Sequence, residues 1–332
     1  MKNITKLGLT ALAGSLVASS AFAGAMSVSG SAKITHASAD ETEVQGNSFS
    51  NSKGLSFSGS GELDNGWTVS TTYSMTNSAF SSSQVTIDMG DQGTVGLWNN
   101  ANGAGINKYS DVIPTAGEQV WDDSDTDDNG LPLHDNDNMI GYNGTLAGFG
   151  VSIAYVNGGS GAKEGGASDS SWALSYDGLM DGLTLGIGAG ENGTTQDLST
   201  MYVKYTAGSI TVGYQMSEVD NTGSTADEEA NHIGASIAVN ENLSVSAGRH
   251  EVDMGAGKVD EESTGFSASY TMGSTTIGFV ANSTENVAGT AASDDSYREI
   301  STMTLSFLPS SLIIRNGSFS FAEKTTPPPL IS

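Results

Sequence analysis

Short stretches in which every second residue is apolar, and the residues between are Ser, Thr or Gly, run through this chain nearly to its end. In Ser209–Met216, the residues Ile210, Val212, Tyr214 and Met216 fall on one side of an extended backbone, and Ser209, Thr211, Gly213 and Gln215 on the other. Successive side chains of a strand point to opposite faces, so one face of such a stretch is apolar and the other polar. A Gly, Asn or Asp turn stands at almost every join. A soluble sandwich also alternates, but its polar face normally carries many Lys and Glu. Here that face is mostly Ser, Thr and Gly, and the apolar face often ends in Tyr, Trp or Phe. The pattern suits an all-β protein whose sheet closes on itself, with lipid outside and water inside, because a closed barrel leaves no backbone group unpaired in hydrocarbon.

Composition narrows the reading. Hydrophobic residues make up 37% of the chain, low for a protein built around a thick core. Beyond the N-terminus no run approaches the ~18 consecutive apolar residues of a membrane-spanning helix, which excludes a helical membrane protein but not a barrel. The formal net charge is −26; this argues against nucleic acid and against charge-driven binding to anionic lipid, and favours cations near the protein. The absence of Cys fits an exported chain. Lys2 and Lys6, the apolar run Leu7–Val17 and the small-x-small sequence Ala21-Phe22-Ala23 read as a secretory signal over residues 1–23, with the mature chain starting at Gly24. Export combined with a barrel pattern points to the outer membrane of a Gram-negative bacterium.

Sixteen strands are predicted, from Met26–His36 at one end to Tyr297–Phe307 at the other. Those between them include Gly54–Leu63, Trp67–Met75, Gln84–Met89, Thr94–Trp98, Leu198–Thr206, His232–Val239, Leu243–Glu251 and Gly265–Thr271. The joins alternate between short turns and longer, more acidic loops, the rhythm of a transmembrane antiparallel β-barrel with tight periplasmic turns. At about sixteen strands side chains no longer fill the lumen, so an aqueous channel remains. Trp67, Phe149, Tyr176, Tyr205, Tyr270 and Phe307 lie at or beside turns or chain ends, where an interfacial aromatic girdle would sit. One long insertion, Asn99 to Asp137, interrupts the rhythm after the fifth strand.

In its signal sequence, its strand number and the place of that insertion, the segment Gly24–Phe307 resembles the general porins of Gram-negative outer membranes, especially the smaller alphaproteobacterial type. Gly93-Thr94-Val95-Gly96-Leu97-Trp98, a long acidic loop and then Asn138-Met139-Ile140-Gly141-Tyr142 look like the porin arrangement around its third loop, and Phe149-Gly150-Val151-Ser152 after Leu146-Ala147-Gly148 is similar as well. The resemblance implies a homotrimer in outer-membrane lipid, a third loop that folds inward to narrow the pore, passage of small hydrophilic solutes and ions, and no enzymatic activity.

The insertion carries Glu118, Asp122, Asp123, Asp125, Asp127 and Asp128, with Asp135 and Asp137 further on. If it folds inward, these acids line the narrowest part of the channel, and a carboxylate ring favours cations over anions. The porins it resembles set such acids against bases on the wall. Here the expected wall bases are few: Lys33 and Lys204, both predicted inward, and Lys53 at the start of the second strand. Asp125-x-Asp127-x-Asn129-Gly130 matches the first half of a calcium loop. The closing Glu is missing, with Asn136 in its place, so a solvated acidic run is preferred to a structural calcium at Asp125, Asp127 and Asn129; no other cofactor is expected. The four His residues show no ligand spacing, and His36 and His250 are expected to be solvated near strand ends. No motif marks a catalytic Ser–His pair.

Residues 308–332 change style, with Leu312-Ile313-Ile314 and Pro327-Pro328-Pro329. They read as a non-native-looking, disordered tail, of the kind a frameshift would produce. Two further functional readings remain at this stage. A substrate-selective channel needs a lumenal track of aromatics or bases, for which Trp98 is the one inward candidate. A plugged structural or adhesin barrel needs several long external loops.

Overall fold

The computed structural model describes residues 26–39, 47–110, 112–121, 136–158, 167–223, 225–255 and 257–307. The expected signal segment and the C-terminal tail lie outside the described residues. Sixteen strands appear: β1 Ser27–Ala39, β2 Phe49–Glu62, β3 Thr68–Thr76, β4 Ala79–Asp88, β5 Thr94–Asn99, β6 Met139–Leu146, β7 Phe149–Val156, β8 Asp169–Tyr176, β9 Leu183–Asn192, β10 Gln196–Ala207, β11 Ile210–Asn221, β12 Glu228–Ala238, β13 Leu243–Asp253, β14 Glu261–Met272, β15 Thr275–Glu285 and β16 Asp295–Phe307. Each pairs antiparallel with its neighbours in sequence, and β1 pairs with β16, so the sheet is a closed barrel with no free edge.

The alternation in the sequence maps onto the two faces of this wall. On β11, Ile210, Val212 and Tyr214 are exposed on the outer surface, while Gly213, Gln215 and Ser217 are buried on the inner one. The apolar outer face is therefore the intended surface of the protein, since it meets acyl chains rather than water. Phe149 and Tyr176 stack with ring centroids 4.8 Å apart at the tight-turn end, and Tyr205 and Tyr270 are exposed at the same end, as an interfacial girdle requires. The Phe307 side chain lies outside the described part.

The strands run further than alternation predicts, and mostly at the end away from the tight turns. β2 begins at Phe49 rather than Gly54, β12 at Glu228 rather than His232, and β14 at Glu261 rather than Gly265. The added lengths carry outward Asp220, Glu229 and Asp253. Above the hydrocarbon the outer face no longer needs apolar residues, so the period-two signal fades while backbone pairing continues. Longer strands also shorten two joins: β3 meets β4 across Asn77-Ser78, and β9 meets β10 across Gly193–Thr195. The rhythm of short and long joins is thus less regular than the sequence suggests.

The buried side chains do not form a layer between sheets. Many of them sit where the described part of the connection from β5 to β6 presses against the inside of the wall, as with Trp98, Ala104, Ile106 and Met139; another group, Ala230, Val252 and Met254, lies at β12 and β13. A prediction follows for the two faces. Val212→Arg places a charge on the lipid side and should cost about 2–4 kcal/mol if it lies near the bilayer midplane. Thr211→Lys on the lumen side should cost much less. Reversible denaturant unfolding from lipid vesicles compares the two.

Candidate functional site: a loop docked along the lumen wall

The β5–β6 loop enters the barrel at once. Trp98 turns inward at the end of β5 and is buried with Ala104, Met139, Ala154 and Val156. Its ring packs beneath the loop, so it is not the exposed aromatic that a solute track would need. A short 3₁₀ turn, Gly105–Tyr109, follows. The Gly105 N–H donates to Ser152 Oγ at 2.8 Å and the Ile106 N–H to Ser171 Oγ at 3.0 Å. Hydroxyls from β7 and β8 thus satisfy backbone donors that the turn leaves open. Ile106 is fully buried against Leu198 of β10 and Val219 of β11; burying such a side chain contributes roughly 1.5–3 kcal/mol.

Further along, Tyr109 meets Tyr202 of β10 edge to face at 4.9 Å, and Gln215 of β11 donates from Nε2 to the Tyr109 carbonyl at 2.8 Å. Burial raises the Tyr109 phenol above the ordinary tyrosine range. Ile113 and Pro114 then lie over β11 and β12. A Cβ placed on Gly213 would come within 2.6 Å of Pro114 Cδ, and one on Gly234 within 2.5 Å of Ile113 Cγ2. Both strands need Gly here because the loop rides directly on their backbone. The Ala116 N–H donates to Ser246 Oγ of β13 at 2.8 Å, and Asn282 of β15 donates from Nδ2 to the Gln119 carbonyl at 3.2 Å. Trp121 packs on two buried imidazoles of the inner wall, 4.2 Å from His232 and 4.6 Å from His250 between ring centroids. His250, expected to be solvated at a strand end, is buried because β13 continues beyond it to Asp253.

The described part of the loop therefore follows the inner wall from β6 to β15. Its Glu118 reaches the seam where the barrel closes. There Glu118 Oε1 is 3.6 Å from Lys33 Nζ of β1, and the same ammonium is 2.8 Å from Glu299 Oε1 of β16. Lys204 of β10 also faces the lumen; with Thr211, Ser236 and Glu118 it lines a cavity of about 600 Å³ beside the loop. Lys53 does not line the pore as expected. It pairs with Ala32 on the outer face, next to outward Leu55, and binds Asn51 at 2.5 Å. The strand extends five residues before Gly54, which leaves Lys53 within β2, one step out of phase with inward Gly54. Asp122, Asp123, Asp125, Asp127, Asp128 and Asn129 lie outside the described residues, so the acidic run and the half calcium motif stand as sequence expectations.

The wall that the described loop residues leave uncovered, β2 to β4, presents hydroxyls. Ser56 and Ser74 share a hydrogen bond at 2.9 Å, and Ser58 and Thr72 one at 3.2 Å. The inward positions of these strands, read from the cross-strand register, carry no Lys or Arg. The docking track was the main feature that the sequence reading missed. Its signal was present as inward Gly on neighbouring strands, including Gly188, Gly213, Gly234 and Gly248, positions where a strand gains nothing from Gly unless another backbone comes close.

A closed sixteen-strand barrel with an apolar outer face, a polar lumen and one loop folded inside is the architecture of a channel-forming protein of the outer membrane. The sequence profile of the Gram-negative porins matches residues 8–289, and the chain belongs to that family. Among solved structures, engineered forms of Rhodopseudomonas blastica porin superpose with a TM-score of 0.62 at 14% identity and 0.61 at 12% identity, each covering 84% of this chain and 99% of the other. A structure described as "Asymmetric conductivity of engineered proteins" gives a TM-score of 0.63 at 12% identity with the same coverage. These likenesses concern the fold. No curated protein matches the chain. The protein is thus an outer-membrane porin.

Replacing Gly234 by Val should push the loop off the wall without breaking strand pairing. The expected result is a larger single-channel conductance and faster proteolysis within residues 100–138, with the barrel's heat resistance retained.

Proposed function

We propose that this porin passes small hydrophilic solutes and ions passively, that the inward loop is its constriction, and that cations are preferred. The observation that carries the reading is the contrast between the two sides of the lumen. One side is occupied by a loop that carries Glu118; the other is a hydroxyl-lined wall, β2 to β4, without an inward base. A solute between them meets hydrogen-bonding groups of no particular stereochemistry and an excess of negative charge. Such a lining lowers the barrier for hydrated cations and raises it for anions. The undescribed aspartates that follow Trp121 would add to the same field. Burial of Trp98 beneath the loop counts against a substrate-selective aromatic track. Cleavage of residues 1–23 on export and assembly as a homotrimer complete the proposal, on the strength of the signal pattern and of the family.

Planar-bilayer recording across a KCl gradient tests it. Large conductance steps with a reversal potential drawn towards that of K⁺ are expected. No steps would mean a plugged barrel, and a potential drawn towards that of Cl⁻ would refute cation preference. Glu118→Gln should lower the K⁺ over Cl⁻ permeability ratio about tenfold, since a charge ~6 Å from the ion path in a water-like medium is worth about 0.7 kcal/mol in favour of the cation and as much against the anion.

A further inference from the structure

We propose that Lys108, on the first turn of the inward loop, is a specificity-determining residue of the pore, the base that admits anions alongside cations, and that Asn143 of β6 is the positioning residue that seats it. The inference rests on the reading of the loop as the constriction of a passive channel, and names the group that limits its cation preference.

Lys108 belongs to the short 3₁₀ turn Gly105–Tyr109. Its neighbours Asn107 and Tyr109 are buried, while Lys108 is exposed. Asn143 faces the lumen, because the register pairs it with Ser152, whose hydroxyl binds the loop. Its amide is held at both ends. Oδ1 accepts from Lys108 Nζ at 3.1 Å and from Ser152 Oγ at 2.7 Å. Nδ2 donates to the Gly103 carbonyl at 2.9 Å. A flipped amide would set its NH₂ against the ammonium and its oxygen against another carbonyl, so the contacts select one orientation. Ser152 Oγ in turn accepts the Gly105 N–H. One network thus fixes both the turn and the ammonium.

The partner of Lys108 is a neutral amide, so the seat does not cancel the charge. Among the described residues Lys108 makes no ion pair. The inward bases of the described strands stand elsewhere. Lys33 lies 2.8 Å from Glu299 and 3.6 Å from Glu118. Lys204, on β10, lines the cavity that Glu118 also lines. Lys108 stands instead beside the wall that no described loop residue covers. In register, the inward row Glu62, Thr68, Asp88, Thr94 and Asn143 crosses from β2 to β6. A solute passing the hydroxyl wall therefore has two carboxylates along this row and the ammonium at its end. The acids favour cations, and the seated base gives an anion a favourable contact on the same path. Asn143 touches no solute in this role and acts through Lys108.

The test is a set of reversal potentials for the full-length protein folded into planar bilayers under a KCl gradient, with conductance steps and heat-resistant barrel migration as folding controls. Lys108→Met should raise the K⁺ over Cl⁻ ratio about tenfold, as removal of one positive charge ~6 Å from the path does. Lys108→Arg, which keeps the charge, should stay near the wild-type ratio. Asn143→Leu unseats the ammonium without removing it and should raise the ratio by less, about threefold. Adding Asn143→Leu to Lys108→Met should change the ratio no further, a result that general damage to the loop would not give. An unchanged ratio in Lys108→Met would overturn the proposal, as would a rise in Lys108→Arg equal to that in Lys108→Met. An unchanged ratio in Asn143→Leu, or full additivity in the double variant, would overturn the part given to Asn143. If the Asn143 variants do not fold, Lys108→Met against Lys108→Arg decides. A wild type with conductance steps but no cation preference overturns that preference alone, since each variant is judged against the wild type; a wild type without steps overturns both.

Discussion

The constraint on which the structure depends is that no backbone N–H or C=O can remain unpaired in hydrocarbon. Closure of β1 on β16 meets it, since the seam pairs run from Ser29 with Phe307 to Ala39 with Tyr297. An open sheet of the same strands would present two unsatisfied edges to lipid at several kcal/mol per group. Closure also creates the lumen, and at this strand number the lumen is too wide for wall side chains to fill. The interior problem is therefore reversed compared with a soluble domain. What needs explaining is which part of the inside is dry.

Much of the dry part is the footprint of the β5–β6 loop. A loop running over a polar wall gains little from apolar burial alone, so its docking mixes kinds of contact. Apolar anchors such as Ile106 and Trp121 alternate with hydrogen bonds from wall hydroxyls and amides to the loop backbone. Each such bond contributes about 0.5–1.5 kcal/mol net, and the inner-wall glycines let the two backbones come close enough to form them. The loop is thereby held over most of its described length rather than hinged at its ends. The wall of β2 to β4, which no described loop residue covers, presents its row of Ser and Thr.

Charge follows the same division. Outside the membrane belt, acids crowd the outer face of the extended strands, where water and counter-ions screen them. Inside, the seam cluster of Lys33, Glu118 and Glu299 links the loop to the first and last strands. Arg249 on the outer face is bonded to Glu251 and Glu262 at 2.9 and 2.6 Å; it faces away from the pore and has no bearing on what passes through it.

The sixteen strands, their order and the inward and outward sense of residues such as Ile34, Lys33 and Val212 were legible in the sequence, because lipid on one side and water on the other impose a period of two wherever the chain crosses the bilayer. The same reasoning lost the outer strand ends, where neither face must be apolar, and with them the true register of Lys53 and the burial of His250. The presence of a special loop was also legible, as the one long break in the rhythm. Its path was not. That Pro114 rests on Gly213, that Trp121 covers His232 and His250, and that Lys33 belongs to Glu299 before Glu118 are decided by residues far apart in the chain meeting inside a closed wall. Local alternation fixes which face a side chain takes; only closure and loop docking fix what it meets there.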